Sequence, residues 1–131
     1  MTVFLSGDLG AGKTTLVRGL LRALGYTGKV KSPTYTLVEL YKLSRLCLYH
    51  FDFYRFVDPE ELTQAGFRDD FNADNLCLVE WPERAEALLP KPDMQILLRV
   101  DGSGRQVEVR AETAQGEQCL EQLKNLSHGI G

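Results

Sequence analysis

No surplus of basic residues marks this chain. Among 131 residues, 15 Lys and Arg face 18 Asp and Glu, for a formal net charge of −3. A protein that gripped RNA unaided would carry the opposite balance, because binding uses Lys and Arg to displace counterions from phosphates. Any nucleic-acid role is therefore expected to run through a partner. Cysteine is scarce. Cys47, Cys77 and Cys119 are odd in number and lack metal-site spacing. They read as reduced thiols of a cytoplasmic protein, with Cys47 and Cys77, each inside an apolar strand-like run, packed in the core. No apolar run approaches the ~20 residues that a membrane span needs. The opening "MTVFLSG" has no basic stretch and no cleavage site, so it does not read as a signal peptide. There is no repeat, low-complexity tract or linker.

What is present is ordinary for a globular domain, with 44% hydrophobic and 25% charged residues. The length favours one domain, 1–131, with a buried core. The unusual stretch is "SGDLGAGKTT" at 6–15. Gly7, Gly12, Lys13 and Thr14 fit the P-loop pattern G-x-x-x-x-G-K-S/T, also known as Walker A. Each residue type has a task. Glycines let the backbone curl until successive N–H groups point at phosphates. Lys13 reaches the β and γ phosphates as a point charge, and the Thr14 hydroxyl is suited to ligate Mg²⁺. The pattern follows an apolar run, "TVFLS" (2–6), and opens "TTLVRGLLRALG" (14–25), where Leu16, Leu20, Leu21 and Leu24 recur at helical spacing before the cap residue Gly25.

Further along, "TLVELYKL" (36–43) and "LCLYHFDFYRF" (46–56) read as strands joined by "SR". Asp58, Pro59 and Glu61 start a helix over 58–67. "LCLVE" (76–80) is a fully apolar strand ending in an acid, followed by a short helix over 82–89. "MQILLRV" (94–100) and "QVEVRAE" (106–112) flank the hairpin turn "DGSG". An amphipathic helix over 116–126 closes the chain, with 127–131 expected to fray. These elements predict an α/β fold of the P-loop NTPase type: a mixed, mostly parallel sheet flanked by helices, with a β-hairpin near the C-terminus.

A P-loop site also needs an acid at the end of a neighbouring strand to hold Mg²⁺, directly or through water. Two strands supply one, at Glu80 and at Asp52. The purely apolar run before Glu80 suits a buried parallel strand. Glu80 is therefore favoured as the Mg²⁺ ligand, and Asp52 as an acid that positions water or supports the metal site. Each also has a plainer reading, Glu80 as a helix N-cap and Asp52 as a surface strand end. Thr34, in "KSPTYT", lies where P-loop switches sense a γ-phosphate, and it equally reads as a turn threonine. Trp81 is expected near the nucleotide or as a packing aromatic. Arg55 reads as a phosphate counter-charge or as the partner of an acid. Tyr35, Tyr41, Tyr49, Phe51, Phe53 and Tyr54 suit cross-strand packing. His50 and His128 carry no signal. The sequence lacks N-K-x-D, the guanine reader of small GTPases, and lacks an Arg-rich lid of the kind small-molecule kinases use.

Taken together, "GDLGAGKTT", "SPTYTLVELY", "HFDFYRFVDPEEL" and "LCLVEWPERAEALLP" closely resemble the TsaE (YjeE) family, bacterial P-loop ATPases of tRNA threonylcarbamoyladenosine synthesis. The resemblance covers about residues 2–112. It implies a cytoplasmic protein that binds ATP or ADP with Mg²⁺ and acts with TsaB and TsaD. Those partners transfer a threonylcarbamoyl group to adenosine 37 of tRNA, so tRNA is met only indirectly. ATP hydrolysis, weak in the isolated protein, supports turnover of that complex and is not the transfer itself. The family's phosphate-binding residues fall on Asp8, Leu9, Gly10, Ala11, Gly12, Lys13, Thr14 and Thr15. Its S-P-T switch falls on Ser32, Pro33 and Thr34. Its H-x-D-x-Y-R acid falls on Asp52, and its V-E-W glutamate falls on Glu80, beside Trp81. Lys13, Asp52 and Glu80 are thus the expected catalytic set, with Thr14 and Glu80 toward the metal. The family also carries about a helix and a strand before the P-loop strand, whereas Ser6 stands five residues from Met1. Nucleotide affinity and adenine-over-guanine discrimination are accordingly expected to be poorer than in a chain extended at the N-terminus. Two rival readings are a small-molecule kinase and a nucleotide-binding partner protein without meaningful catalysis.

Overall fold

The opening apolar run forms β1 (Thr2–Gly7), and α1 (Lys13–Ala23) begins directly after the glycine-rich stretch. The structure is a computed structural model that describes residues 1–7, 12–33, 35–55, 58, 67–72 and 74–130. Five further strands follow: β2 (Val38–Lys42), β3 (Cys47–Asp52), β4 (Asn75–Glu80), β5 (Met94–Asp101) and β6 (Gly104–Ala111). The final helix, α2, spans Ala114–Ile130. The strands form one sheet in the order β2-β3-β4-β1-β5-β6. β1 lies between β4 and β5 and is parallel to both, and β3 is parallel to β4. The outer strands β2 and β6 are antiparallel to their neighbours, and each is joined to its neighbour in a hairpin. The fold is therefore α/β with a mixed, mostly parallel sheet, as its alternating pattern predicts.

The period of two along each strand divides the core between the sheet faces. Val3, Leu5, Leu48 and Leu78 pack with Val17 and Leu21 of α1 on one face. Phe4, Phe51, Cys77 and Val79 pack with Phe53 and Ala85 on the other. Phe71 stacks on Phe51 there with ring centroids 4.9 Å apart. Helix α1 stops where Gly25 adopts φ 93. Tyr26 N–H then bonds the Leu21 carbonyl and Gly25 N–H the Arg22 carbonyl, the paired bonds of a Schellman cap.

Some expectations need correction. The segment 82–89 is not a continuous helix. It forms two 3₁₀ turns, Pro82–Arg84 and Glu86–Leu88, separated at Ala85, whose φ of −131 leaves the helical path as its side chain enters the aromatic core. β3 ends at Asp52 rather than at 56, because the Asp52 carboxylate accepts the Tyr54 N–H at 2.9 Å and turns the chain. α2 starts two residues earlier than the expected 116 and is helical over Ala114–Ile130. The predicted helix at 58–67 has its interior outside the described residues. All three cysteines are free. Cys77 is buried, whereas Cys47, expected in the core, is only half-buried.

At the start of α2, the Thr113 hydroxyl accepts the Gly116 N–H and donates to Asp93 Oδ1. Gly116 comes so close to this corner that a Cβ would lie 1.9 Å from the Asp93 carbonyl oxygen, which already accepts the Glu112 N–H. Gly116→Ala must therefore push α2 off the sheet edge. The expected cost is about 1–3 kcal/mol of stability. It would be read as a lower urea midpoint, and an unchanged midpoint would refute the close approach.

Candidate functional site

Three strand ends and one helix start converge at the same edge of the sheet. β1 delivers Gly7, β3 delivers Asp52, β4 delivers Glu80, and α1 begins at Lys13. This is the carboxyl edge of the parallel strands, where open α/β sheets bind ligands. Gly12 makes the turn into α1 with φ 101, a conformation that side-chain-bearing residues rarely adopt, and its carbonyl accepts the Leu16 N–H.

Lys13 is only 7% exposed. Its Nζ donates to the Gly7 carbonyl at 2.9 Å and lies 3.8 Å from Glu80 Oε1. It also sits 4.5 Å from the centroid of the Trp81 ring, within cation–π range. The ammonium is thus held by a carbonyl, a carboxylate and an aromatic face. Trp81 is placed there by a left-handed backbone, with φ 55 and ψ 50, which is uncommon for a bulky residue. Such strain persists where surrounding structure fixes it, often at functional sites. Ser6, Gly7, Lys13, Trp81 and Glu83 line a cavity of about 200 Å³.

Glu80 is buried, and its second oxygen is committed elsewhere. His50 Nε2 lies 2.6 Å from Glu80 Oε2. With the carboxylate as acceptor, the Nε2–H tautomer of His50 is the donor of this bond. Asp52 is also buried and stands opposite Glu80 in the parallel pairing of β3 with β4. Its amide donates to the Leu37 carbonyl, and the Leu37 amide donates to the Pro33 carbonyl. The loop after α1 is thereby tied to the strand end that carries Asp52.

The expected residues thus fall into three groups. Lys13, Glu80 and Trp81 are in mutual reach, and Asp52 stands beside Glu80. Thr14 and Thr15 are exposed on the first turn of α1. Asp8, Leu9, Gly10, Ala11 and Thr34 lie outside the described residues. Arg55 stands over the Tyr35 ring at 4.5 Å, so its guanidinium faces an aromatic. Tyr35 is exposed, unlike the buried packing aromatics Tyr41, Phe51 and Phe53.

His50 is the residue that sequence reading passed over. It is 1% exposed and contacts the central carboxylate. A signal was available, because His50 and Asp52 are two apart on one strand and so share a face. That face is the one α1 covers.

Two buried carboxylates stand side by side with one lysine among them. This set of hard oxygen donors suits Mg²⁺. Among the described residues no group of three or more His, Cys, Asp or Glu could hold a metal alone. A cation here would complete its shell with water and phosphate oxygens, the way Mg²⁺ is usually bound.

Fold and site together define an α/β domain with a mixed six-stranded sheet, whose candidate site lies at the carboxyl edge of the parallel strands. The family model described as "Threonylcarbamoyl adenosine biosynthesis protein TsaE" matches residues 1–107. A TsaE from Haemophilus influenzae is 48% identical over 123 residues, covering 94% of this chain and 78% of that protein. A TsaE from Bacillus subtilis is 39% identical over 120 residues, covering 91% and 75%. The crystal structure of YdiB from Bacillus subtilis superposes with a TM-score of 0.80 at 33% identity, covering 96% of this chain and 78% of that one. This chain belongs to the TsaE family of tRNA threonylcarbamoyladenosine biosynthesis proteins. No helix among the described residues is long and apolar enough to cross a membrane.

Proposed function

We propose that this chain binds ATP or ADP with Mg²⁺ at the strand edge carrying Lys13, Asp52 and Glu80. It hydrolyses ATP slowly in support of threonylcarbamoylation of tRNA adenosine 37 by TsaB and TsaD. The observation that carries this reading is the buried meeting of Lys13 and Glu80 at the mouth of a P-loop sequence. Lys13 has a small cavity beside it and bonds that phosphate oxygens can replace. The Thr14 hydroxyl and Glu80 would hold the metal. A Mg²⁺ held there would supply charge neutralisation of the phosphate oxygens. Asp52, beside Glu80, is placed to orient water as a general base. The backbone of 8–12 and Thr15 would cradle the phosphates, and Thr34 and Trp81 would sense or cover them. The acidic balance of the chain supports contact with tRNA only through the partners. Its three free thiols suit a cytoplasmic setting.

Gel filtration with TsaB and TsaD tests the assignment, run with a non-hydrolysable ATP analogue, with ADP, and without nucleotide. The chain is expected to co-elute in a nucleotide-dependent manner, and to release phosphate slowly when alone. Co-elution indifferent to nucleotide, or tight tRNA binding by the chain alone at physiological salt, would overturn it.

A further inference from the structure

We propose that His50 is a positioning residue. It holds the Glu80 carboxylate in place for Mg²⁺ once nucleotide has drawn Lys13 away. The inference rests on the magnesium-nucleotide reading of this edge and adds to it a residue that the reading does not use.

The two oxygens of Glu80 are divided between two donors. Oε1 faces Lys13 at 3.8 Å, and Oε2 takes the short bond from His50 Nε2 at 2.6 Å. These donors differ in permanence. Lys13 is the P-loop cation, and phosphate oxygens compete for it. His50 is a strand residue, buried to 1% exposure, and its neighbour in register is Leu78. Among the described residues its other ring nitrogen, Nδ1, is buried without a hydrogen bond, so Glu80 is the anchor of the ring within this set. When Lys13 turns to phosphate, Glu80 keeps one anchor on Oε2 and has Oε1 released. His50 therefore determines which oxygen is offered to a cation, and it keeps the side chain from rotating to another rotamer. Groups behind a metal ligand commonly act this way.

A residue that only packed would have no need to aim a ring nitrogen at the carboxylate. It would also leave a buried polar atom, Nδ1, without a hydrogen bond among the described residues, a cost that an apolar side chain of similar size would avoid. The orphaned Nδ1 further separates the two isosteric replacements. Glutamine places an amide nitrogen near the Nε2 position and can still donate to Glu80. Asparagine places one near Nδ1, where no partner stands among the described residues.

The test measures ADP affinity with and without Mg²⁺ by calorimetry and takes the ratio of the two dissociation constants. His50→Asn and His50→Ala should lower the Mg²⁺ enhancement by about tenfold, the usual scale for groups behind a metal ligand, and leave Mg²⁺-free affinity near that of the unmutated chain. His50→Gln should restore most of it. If His50→Ala fails to fold, the Gln and Asn pair decides. Equal behaviour of Gln and Asn, or losses that are the same with and without Mg²⁺, would overturn the positioning role alone. An unmutated chain whose ADP affinity ignores Mg²⁺ would overturn the site reading and this inference together.

Discussion

Lys13→Ala is expected to remove most nucleotide binding, with affinity falling about ten- to a hundredfold. The deleted contact is a charge-assisted one to phosphate, worth about 1.5–3 kcal/mol. The structure shows what the lysine must give up for it: a bond to the Gly7 carbonyl, an ion pair to Glu80 and a place over Trp81. All three are local and can be exchanged for phosphate oxygens in the adjoining cavity. The same exchange supplies a readout. Trp81 is the sole tryptophan, and its emission should change when the ammonium leaves its ring. Titration with ATP analogue and Mg²⁺, with circular dichroism to confirm folding, checks the prediction. Unchanged affinity would mean that the glycine-rich loop is not the site.

The second large effect divides the two acids. Glu80→Ala should weaken Mg²⁺-dependent ATP binding by about tenfold or more, at least the loss expected for removing the His50 partner behind it. It also strands His50 Nε2 without its acceptor, so Glu80→Gln is the cleaner variant. Asp52→Ala should leave binding nearer to normal and lower turnover by roughly a hundredfold, the scale of a lost general base. The different neighbours of the two carboxylates support the division. Glu80 touches the P-loop lysine, whereas Asp52 accepts the Tyr54 amide and stands one strand further out. Binding and single-turnover hydrolysis measured on both variants decide it. If Asp52→Ala abolishes binding and Glu80→Ala spares it, the roles are reversed.

Much of this was readable along the chain because the signals are local. An apolar run, a glycine-rich stretch and a leucine-spaced helix follow one another within the first 25 residues, and the structure places β1 and α1 there. The antiparallel hairpins carry their own turn residues. The acid ending "LCLVE" is legible because a buried parallel strand is apolar until it leaves the sheet. What stayed hidden depends on distance in sequence. His50 pairs with a residue 30 positions away, and nothing near it announces that β3 and β4 will be neighbours. The break at Ala85 is likewise tertiary. Helical propensity favours one helix over 82–89, but the aromatic core draws Ala85 inward and divides it. The close approach of Gly116 to Asp93 reads in sequence only as the first residue of the expected helix 116–126.

The most direct measurement is a crystal structure of the chain with a non-hydrolysable ATP analogue and Mg²⁺. Lys13 Nζ is expected on the β and γ phosphates, away from Glu80 Oε1, with the Thr14 hydroxyl and Glu80 within reach of the metal. Triphosphate bound elsewhere, or a metal held by Asp52 with Glu80 still paired to Lys13, would contradict it.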